Sequence, residues 1–258
     1  MTRPFLVAQL TDPHIGGEWG FGDPAARLTA AVESIRGLNH MPDAVLITGD
    51  VTNSGADVDY AVARELLAPL CSPLYVAAGN HDDRAGLRRH FDVPGDGLTT
   101  GTHAPIKYSV HLGPLRLLVL DTTRPGEDAG RLDADQLAWL DAELCGAPAI
   151  PTLVAMHHPP LAVGIADWDA IGLPAAARDA LGAVIARHPQ VRRLVAGHVH
   201  RTIASDLGGR AVLAVPSTYV QAKLDLGTDR IQLIDEPPGF AVHVLVDGEL
   251  ISHVQTVG

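Results

Sequence analysis

Residues 73–84 read PLYVAAGNHDDR. Pro73 to Ala78 form an apolar run, and after Gly79 four polar side chains follow at once: Asn80, His81, Asp82 and Asp83. A short apolar run bounded by breakers reads as a buried strand. Four other runs end the same way. FLVAQL (5–10) leads into Asp12-x-His14, and AVLIT (44–48) into Gly49-Asp50. PTLVAM (151–156) leads into His157-His158-Pro159, and RRLVA (192–196) into Gly197-His198-Val199-His200. Continuous apolar runs suit strands covered on both faces, as in parallel sheets. In such folds ligands bind outside the carboxyl ends of the strands. Five polar clusters at five strand ends are therefore expected to converge in space.

The segments between these runs alternate with them. Residues 24–38 place Leu28, Val32, Ile35 and Leu38 at helical spacing, with Pro24 in the first turn. Further helices are expected at about 58–70, 133–144 and 173–188, the second of these opened by Asp133 with Gln136 three residues on, a weak capping box. IKYSVHL (106–112) and LRLLVL (115–120), joined by Gly113-Pro114, read as a hairpin. TIASDL, Gly208-Gly209 and RAVLAV read as another, and FAVHVLV, Asp247-Gly248 and ELISHV as a third. The expected fold is α/β with mixed α+β character: a four-layer αββα sandwich of two mixed β-sheets flanked by helices. One domain is expected over 1–258, with no large C-terminal cap.

The chain has 258 residues, 47% hydrophobic and 19% charged, which is ordinary for a globular core. Its formal net charge of −11 argues against a nucleic-acid surface, which needs a basic footprint. That balance still allows a small phosphate at a locally positive metal site. No apolar run reaches transmembrane length and the N-terminus lacks a leader's apolar stretch, so a cytoplasmic protein without a membrane partner is expected. Homo-oligomerisation is left open. Cys71 and Cys145 have no neighbour at metal spacing and are expected to be buried, inert thiols.

The clustered residue types suit metal chemistry. Asp, Asn and His are ligands for divalent first-row metals, and no thiolate is among them. The candidates are Asp12, His14, Asp50, Asn80, His157, His198 and His200. Seven ligands are too many for one tetrahedral ion and suit two, with a carboxylate bridging. The glycines before Asp50, Asn80 and His198 are expected to let the backbone turn sharply there. Taken singly, each motif has a plain reading as a turn, a cap or a packed histidine; the weight lies in their joint occurrence at strand ends.

The series D-x-H, G-D, G-N-H-D, H-H-P-P and G-H-x-H resembles the calcineurin-like metallophosphoesterases over nearly the whole chain. Within them it looks closest to the class III cyclic-nucleotide phosphodiesterases and the related bacterial glycerophosphodiesterases. The run AVPSTYVQ (214–221) is similar to the C-terminal part of the bacterial cyclic AMP phosphodiesterases. The resemblance implies two divalent ions per chain, Fe, Mn, Zn or Co. Asp12, His14 and His200 would hold one and Asn80, His157 and His198 the other, with Asp50 shared. It implies that a metal-bound hydroxide attacks a small phosphodiester, most simply a 3′,5′-cyclic nucleotide such as cyclic AMP. His81 matches the family's catalytic histidine, and Asn80, His81 and His158 are the expected substrate-binding residues. Asp82 is left between orienting His81 and structural work, and Asp83 is read as a helix cap. A glycerophosphodiesterase or broad organic phosphodiesterase is the rival reading. A non-catalytic metal-binding regulatory protein is a third, whose mark would be a lost ligand or a lost His81. The run GDVTNSGA, with Asn53 and Ser54, departs from the pattern of the Ser/Thr protein phosphatases.

Overall fold

The computed structural model describes residues 3–95 and 101–258. In chain order these form β1 (Phe5–Leu10), α1 (Pro24–Arg36), β2 (Ala44–Ile47), α2 (Asp57–Leu67) with a 3-10 turn at Ala68–Leu70, β3 (Leu74–Val76) and α3 (Arg84–His90). There follow β4 (Tyr108–Leu112), β5 (Leu115–Val119), α4 (Ala134–Gly146), β6 (Thr152–Ala155), α5 (Ala166–Ile171), α6 (Ala175–Ile185) and β7 (Val191–Ala196). The chain closes with β8 (Ile203–Leu207), β9 (Arg210–Ala214), β10 (Gln221–Ala222), β11 (Leu233–Ile234), β12 (Gly239–Val246) and β13 (Glu249–Thr256).

Two mixed sheets result, in the orders β13-β12-β1-β2-β3 and β4-β5-β6-β7-β9-β8. β1, β2 and β3 run parallel, as do β5, β6, β7 and β9, whereas β12, β13, β4 and β8 enter as antiparallel hairpin partners. The two-residue alternation of a strand explains how the second sheet serves two cores. Leu115, Leu117, Val119, Leu153, Ala155 and Val195 face the core shared with the first sheet. Their neighbours Leu118, Val154, Leu194 and Ala196 face away, into a second core with Leu140 and Leu144 of α4 and Leu181 and Ile185 of α6. On the first sheet's outer side, α1 contributes Leu28, Val32 and Ile35. The four-layer sandwich follows.

The three expected hairpins are present, and Gly208-Gly209 (φ 56°, 73°) and Asp247-Gly248 (φ 49°, 82°) take the left-handed turn that matches strand twist. Asp83 caps α3 through Gly86 N, and Asp133 caps α4 through Gln136 N. The reciprocal arm of the expected capping box is absent. Gln136 instead brackets Asp121, accepting from its N–H at 3.1 Å and donating to its carbonyl at 2.7 Å. The expectation of buried cysteines is corrected: Cys71 and Cys145 are both exposed and free. Cys145 lies one position past Leu144, so it turns off the face that α4 buries. α5 and the β10–β11 pair carry too little apolar periodicity to be read in advance, and both matter below. Among the described residues no helix is long and apolar enough to cross a membrane.

Candidate metal centre

The five polar clusters meet where the carboxyl ends of β1, β2, β3, β6 and β7 face one another across the two sheets. Direct bonds lock this junction. The carboxylate of Asp12 accepts from the His198 N–H at 3.0 Å and from the Thr11 hydroxyl at 2.6 Å. Gln9 donates to the Ala196 carbonyl at 3.2 Å, sheet to sheet. The loops after β1 and β2 zip together, with Asp12 N to Gly49 O at 3.1 Å and His14 N to Asp50 O at 3.0 Å.

The backbone here is strained. Asp12, His14, Asp50, His198 and His200 all have positive φ, between 45° and 68°. Non-glycine residues rarely adopt this region, and they hold it where the surroundings over-determine them, commonly at functional sites. The expectation about the preceding glycines is corrected accordingly. Only Gly49 (φ 96°) is itself left-handed; Gly79 and Gly197 are not. Their service is close approach: a Cβ on Gly79 would overlap the Asp50 backbone and carboxylate, and one on Gly197 would overlap Thr11 and Asp12.

Two candidate ligand sets result. In one, His14 Nε2 lies 3.1 Å from His200 Nε2, 3.9 Å from Asp12 Oδ1 and 3.6 Å from Asp50 Oδ2, with His200 Nε2 3.5 Å from Asp12 Oδ1. In the other, His157 Nε2 lies 2.9 Å from Asn80 Oδ1 and 3.4 Å from Asp50 Oδ2, and His198 Nδ1 lies 3.1 Å from Asn80 Oδ1. Asp50 Oδ2 touches both sets. His157 Nδ1 donates to the Thr48 carbonyl at 2.8 Å, and His200 Nδ1 to that of Val220 at 2.9 Å. A carbonyl only accepts, so in the neutral rings these Nε2 atoms present lone pairs to other acceptors.

The electrostatics point the same way. Burial alone would raise Asp12 and Asp50, but His200 and His157 around the first, and His157 and His14 around the second, hold both below the usual carboxylate range. Burial pushes His14 down to about 3, and His198 well below its ordinary value, so both rings are neutral. Burial opposes charge on His157 too, yet the Asp50 and Asp12 carboxylates overcome it and lift that ring to about 9. Buried anions beside the neutral His14 and His198 rings, with a proton on His157 that a bound cation would displace, are a set that divalent cations complete.

The remaining expected residues stand around this centre. His81 N–H donates to Asp50 Oδ1 at 2.9 Å, and its Nδ1 to the Asn53 carbonyl at 2.8 Å, which leaves Nε2 toward the cavity. With His14 and Asp50 it also forms a group close enough to share an ion. His158 is buried behind the centre. Its Nδ1 meets the Thr122 hydroxyl at 2.8 Å and its Nε2 donates to the Asp128 carbonyl at 3.0 Å, so both ring nitrogens have protein partners, and with His157 and His198 it forms another group close enough to share an ion. Asp82 ties two loops together, accepting from Gly79 N at 3.0 Å and from Val51 and Thr52 N at 3.3 Å each. Burial and the nearby Asp50 raise it to about 7.

Residues beyond those motifs complete the site. Ser217 donates to the Asp12 carbonyl at 2.8 Å and Thr218 N to that of Thr11 at 3.0 Å, so the 214–221 run braces the ligand loops. A cavity of about 120 Å³ opens over the ligands, walled by Trp19, Trp168, Ile171, Ile231 and Leu233 and edged by Asp128. No signal at a strand end marks these residues. They come from loops, from α5 and from the β11 strand and its approach.

The family profile described as calcineurin-like phosphoesterase matches residues 5–202. The chain is 31% identical over 252 residues to the glycerophosphodiester phosphodiesterase GpdQ of Enterobacter lignolyticus, covering 96% of this chain and 90% of that one. It is 36% identical over 223 residues to the 3′,5′-cyclic adenosine monophosphate phosphodiesterase CpdA of Pseudomonas aeruginosa, covering 84% and 77%. Its fold is shared with a dimetal phosphatase of Danio rerio at a TM-score of 0.73 and 18% identity, over 99% of this chain and 100% of the other.

Proposed function

The chain belongs to the calcineurin-like phosphoesterase family, and on that premise we propose that it hydrolyses small phosphodiesters, 3′,5′-cyclic nucleotides such as cyclic AMP foremost. The observation that carries this reading is the pair of ligand sets joined at Asp50 with His81 beside them. Asp12, His14, Asp50 and His200 would hold one divalent ion, and Asp50, Asn80, His157 and His198 the other. The converging donor atoms and anions fit that group: His14 Nε2 and His200 Nε2 lie 3.1 Å apart beside Asp12 and Asp50, and His157 Nε2, His198 Nδ1 and Asn80 Oδ1 lie 2.9–3.2 Å from one another. Bound there, two cations would neutralise phosphate charge and make the attacking water more acidic.

The chain's own residues supply the rest. Asp12 and Asp50 bring two negative charges, so two divalent ions leave the centre positive within a protein of net charge −11. That local sign attracts an anionic diester. The strained loops preset the ligand positions, so little reorganisation remains when substrate arrives. His81, held by Asn53 and Asp50, presents Nε2 to the oxygen that leaves phosphorus and gives it a proton. For a 3′,5′-cyclic nucleotide, water adds to phosphorus, the bond to the 3′ oxygen breaks, and that oxygen takes the proton.

Relatives of both names match over most of the chain, so a glycerophosphodiester is the second reading. A substrate panel on metal-reconstituted protein decides between them: 3′,5′-cyclic AMP, 2′,3′-cyclic AMP, glycerophosphoethanolamine and bis(p-nitrophenyl) phosphate. The highest kcat/KM is expected for 3′,5′-cyclic AMP. A clear preference for glycerophosphoethanolamine would replace the first reading with the second. No turnover of any diester, with both ions bound, would leave a metal-binding protein without this activity.

A further inference from the structure

The walls above the ligands differ in character from the floor. Trp19 sits half-buried in the loop 16–22, its ring 4.5 Å from that of His14 and 6.3 Å from that of His81. Tyr219 backs it at 5.5 Å with the rings tilted by 34°, and the fully buried Tyr219 donates its hydroxyl to the Gly22 carbonyl at 3.2 Å. The loop is thus fastened at its far end, and the indole is propped at the cavity's edge. On the other side stands Trp168 of α5, 5.5 Å from the His198 ring and 6.3 Å from that of His200. α5 is stapled in place, since Asp167 N donates to the Asp229 carbonyl at 2.9 Å and the Asp167 carboxylate accepts from Ile231 N at 3.3 Å. Ile171, Ile231 and Leu233 complete that side.

This wall suits one kind of ester group better than another. A glycerol moiety needs hydrogen-bond partners for its hydroxyls, and leaving them unpaired on apolar surface is costly. Flat apolar and aromatic walls instead favour a group with a π face, because bases of any sequence stack on aromatic side chains. We propose that Trp19 is a specificity-determining residue that stacks on the base of a nucleoside phosphodiester, while Trp168, Ile171, Ile231 and Leu233 close the opposite side. This rests on the phosphodiesterase reading and adds to it the residue that selects the substrate class.

The test compares Trp19→Ala and Trp19→Phe with wild type on 3′,5′-cyclic AMP and glycerophosphoethanolamine, with bound metal measured in each. Stacking is worth enough that the ratio of kcat/KM, cyclic AMP over glycerol diester, should fall roughly 5- to 150-fold in Trp19→Ala. The fall should lie mainly in KM, Trp19→Phe should recover most of it, and two ions per chain should remain. An equal loss on both substrates would overturn the assignment. Wild-type protein supplies an independent arm that needs neither turnover nor a variant. Adenosine 5′-monophosphate and ribose 5-phosphate are titrated into metal-loaded protein by calorimetry. The nucleotide should bind tighter by the same range, and equal Kd values would overturn the proposal. Failure of the wild type to cleave any diester would instead remove the functional reading beneath it, which separates the two failures.

Discussion

Replacing His81 by Ala isolates the proton-transfer step. The ring is fixed by one bond, Nδ1 to the Asn53 carbonyl at 2.8 Å, whereas the bond at 2.9 Å to Asp50 comes from the His81 backbone. The variant therefore removes the imidazole and keeps the contact that positions the shared carboxylate. General acid catalysis is typically worth ~10²–10⁴-fold, or about 2.7–5.4 kcal/mol of barrier. That benefit depends on the leaving group. A ribose or glycerol alkoxide departs poorly without a proton, while nitrophenolate departs well. His81→Ala should accordingly lose ~10²–10⁴-fold in kcat on cyclic AMP and much less on bis(p-nitrophenyl) phosphate. Steady-state kinetics on both substrates, beside elemental analysis of each preparation, reads this directly. An equal loss on both with two ions retained would refute proton donation and assign His81 to charge stabilisation on the phosphate. Because His81 lies in one possible ion-sharing group with His14 and Asp50, loss of an ion would identify it as a ligand.

Other outcomes follow from the same geometry. Asp50→Ala should weaken both metal sites, since Asp50 Oδ2 lies 3.6 Å from His14 Nε2 and 3.4 Å from His157 Nε2. Elemental analysis finding two ions still bound would refute the bridge. Gly197→Ala places a methyl group on Thr11 and Asp12 and should cost about 1–3 kcal/mol with weakened metal binding, whereas Gly146→Ala, with open space around it, should be neutral or stabilising in thermal melts. His243 is buried between Gln9 (2.9 Å) and Ser252 (2.6 Å), and burial, with Arg193 adding, lowers it to about 3. A depressed folded value means that the unfolded chain takes the proton first. This stabilisation is therefore fully present above about pH 6.5 and is lost as pH falls toward 3, amounting to ~2 kcal/mol by pH 5. Denaturant titrations should show His243→Gln flattening that part of the pH profile; an unchanged slope would refute the assignment.

Sequence alone determined the elements whose physics is local. Apolar runs such as FLVAQL and AVLIT specify strands because a strand buried on both faces has no polar side to show, and the 3.6-residue spacing of Leu28, Val32 and Ile35 specifies α1. The D-x-H, G-D, G-N-H-D and G-H-x-H clusters were legible for the same reason: each ligand directly follows its strand. What the tertiary structure decided is everything that depends on contact between distant segments. The positive φ of Asp12, Asp50 and His198 arises where loops from two sheets press together, so the strain lies on the candidate ligands, with Gly79 and Gly197 making room. The engagement of both His158 nitrogens by Thr122 and Asp128, and the bracing of Asp12 by Ser217, join residues between 30 and 205 positions apart. Trp19, Trp168 and Leu233 have no pattern in common along the chain. They come to line one cavity only when the loop 16–22, α5 and the β10–β11 pair fold over the ends of the strands, since a side chain's surroundings are set by packing across the fold, which neighbouring residues in sequence do not encode.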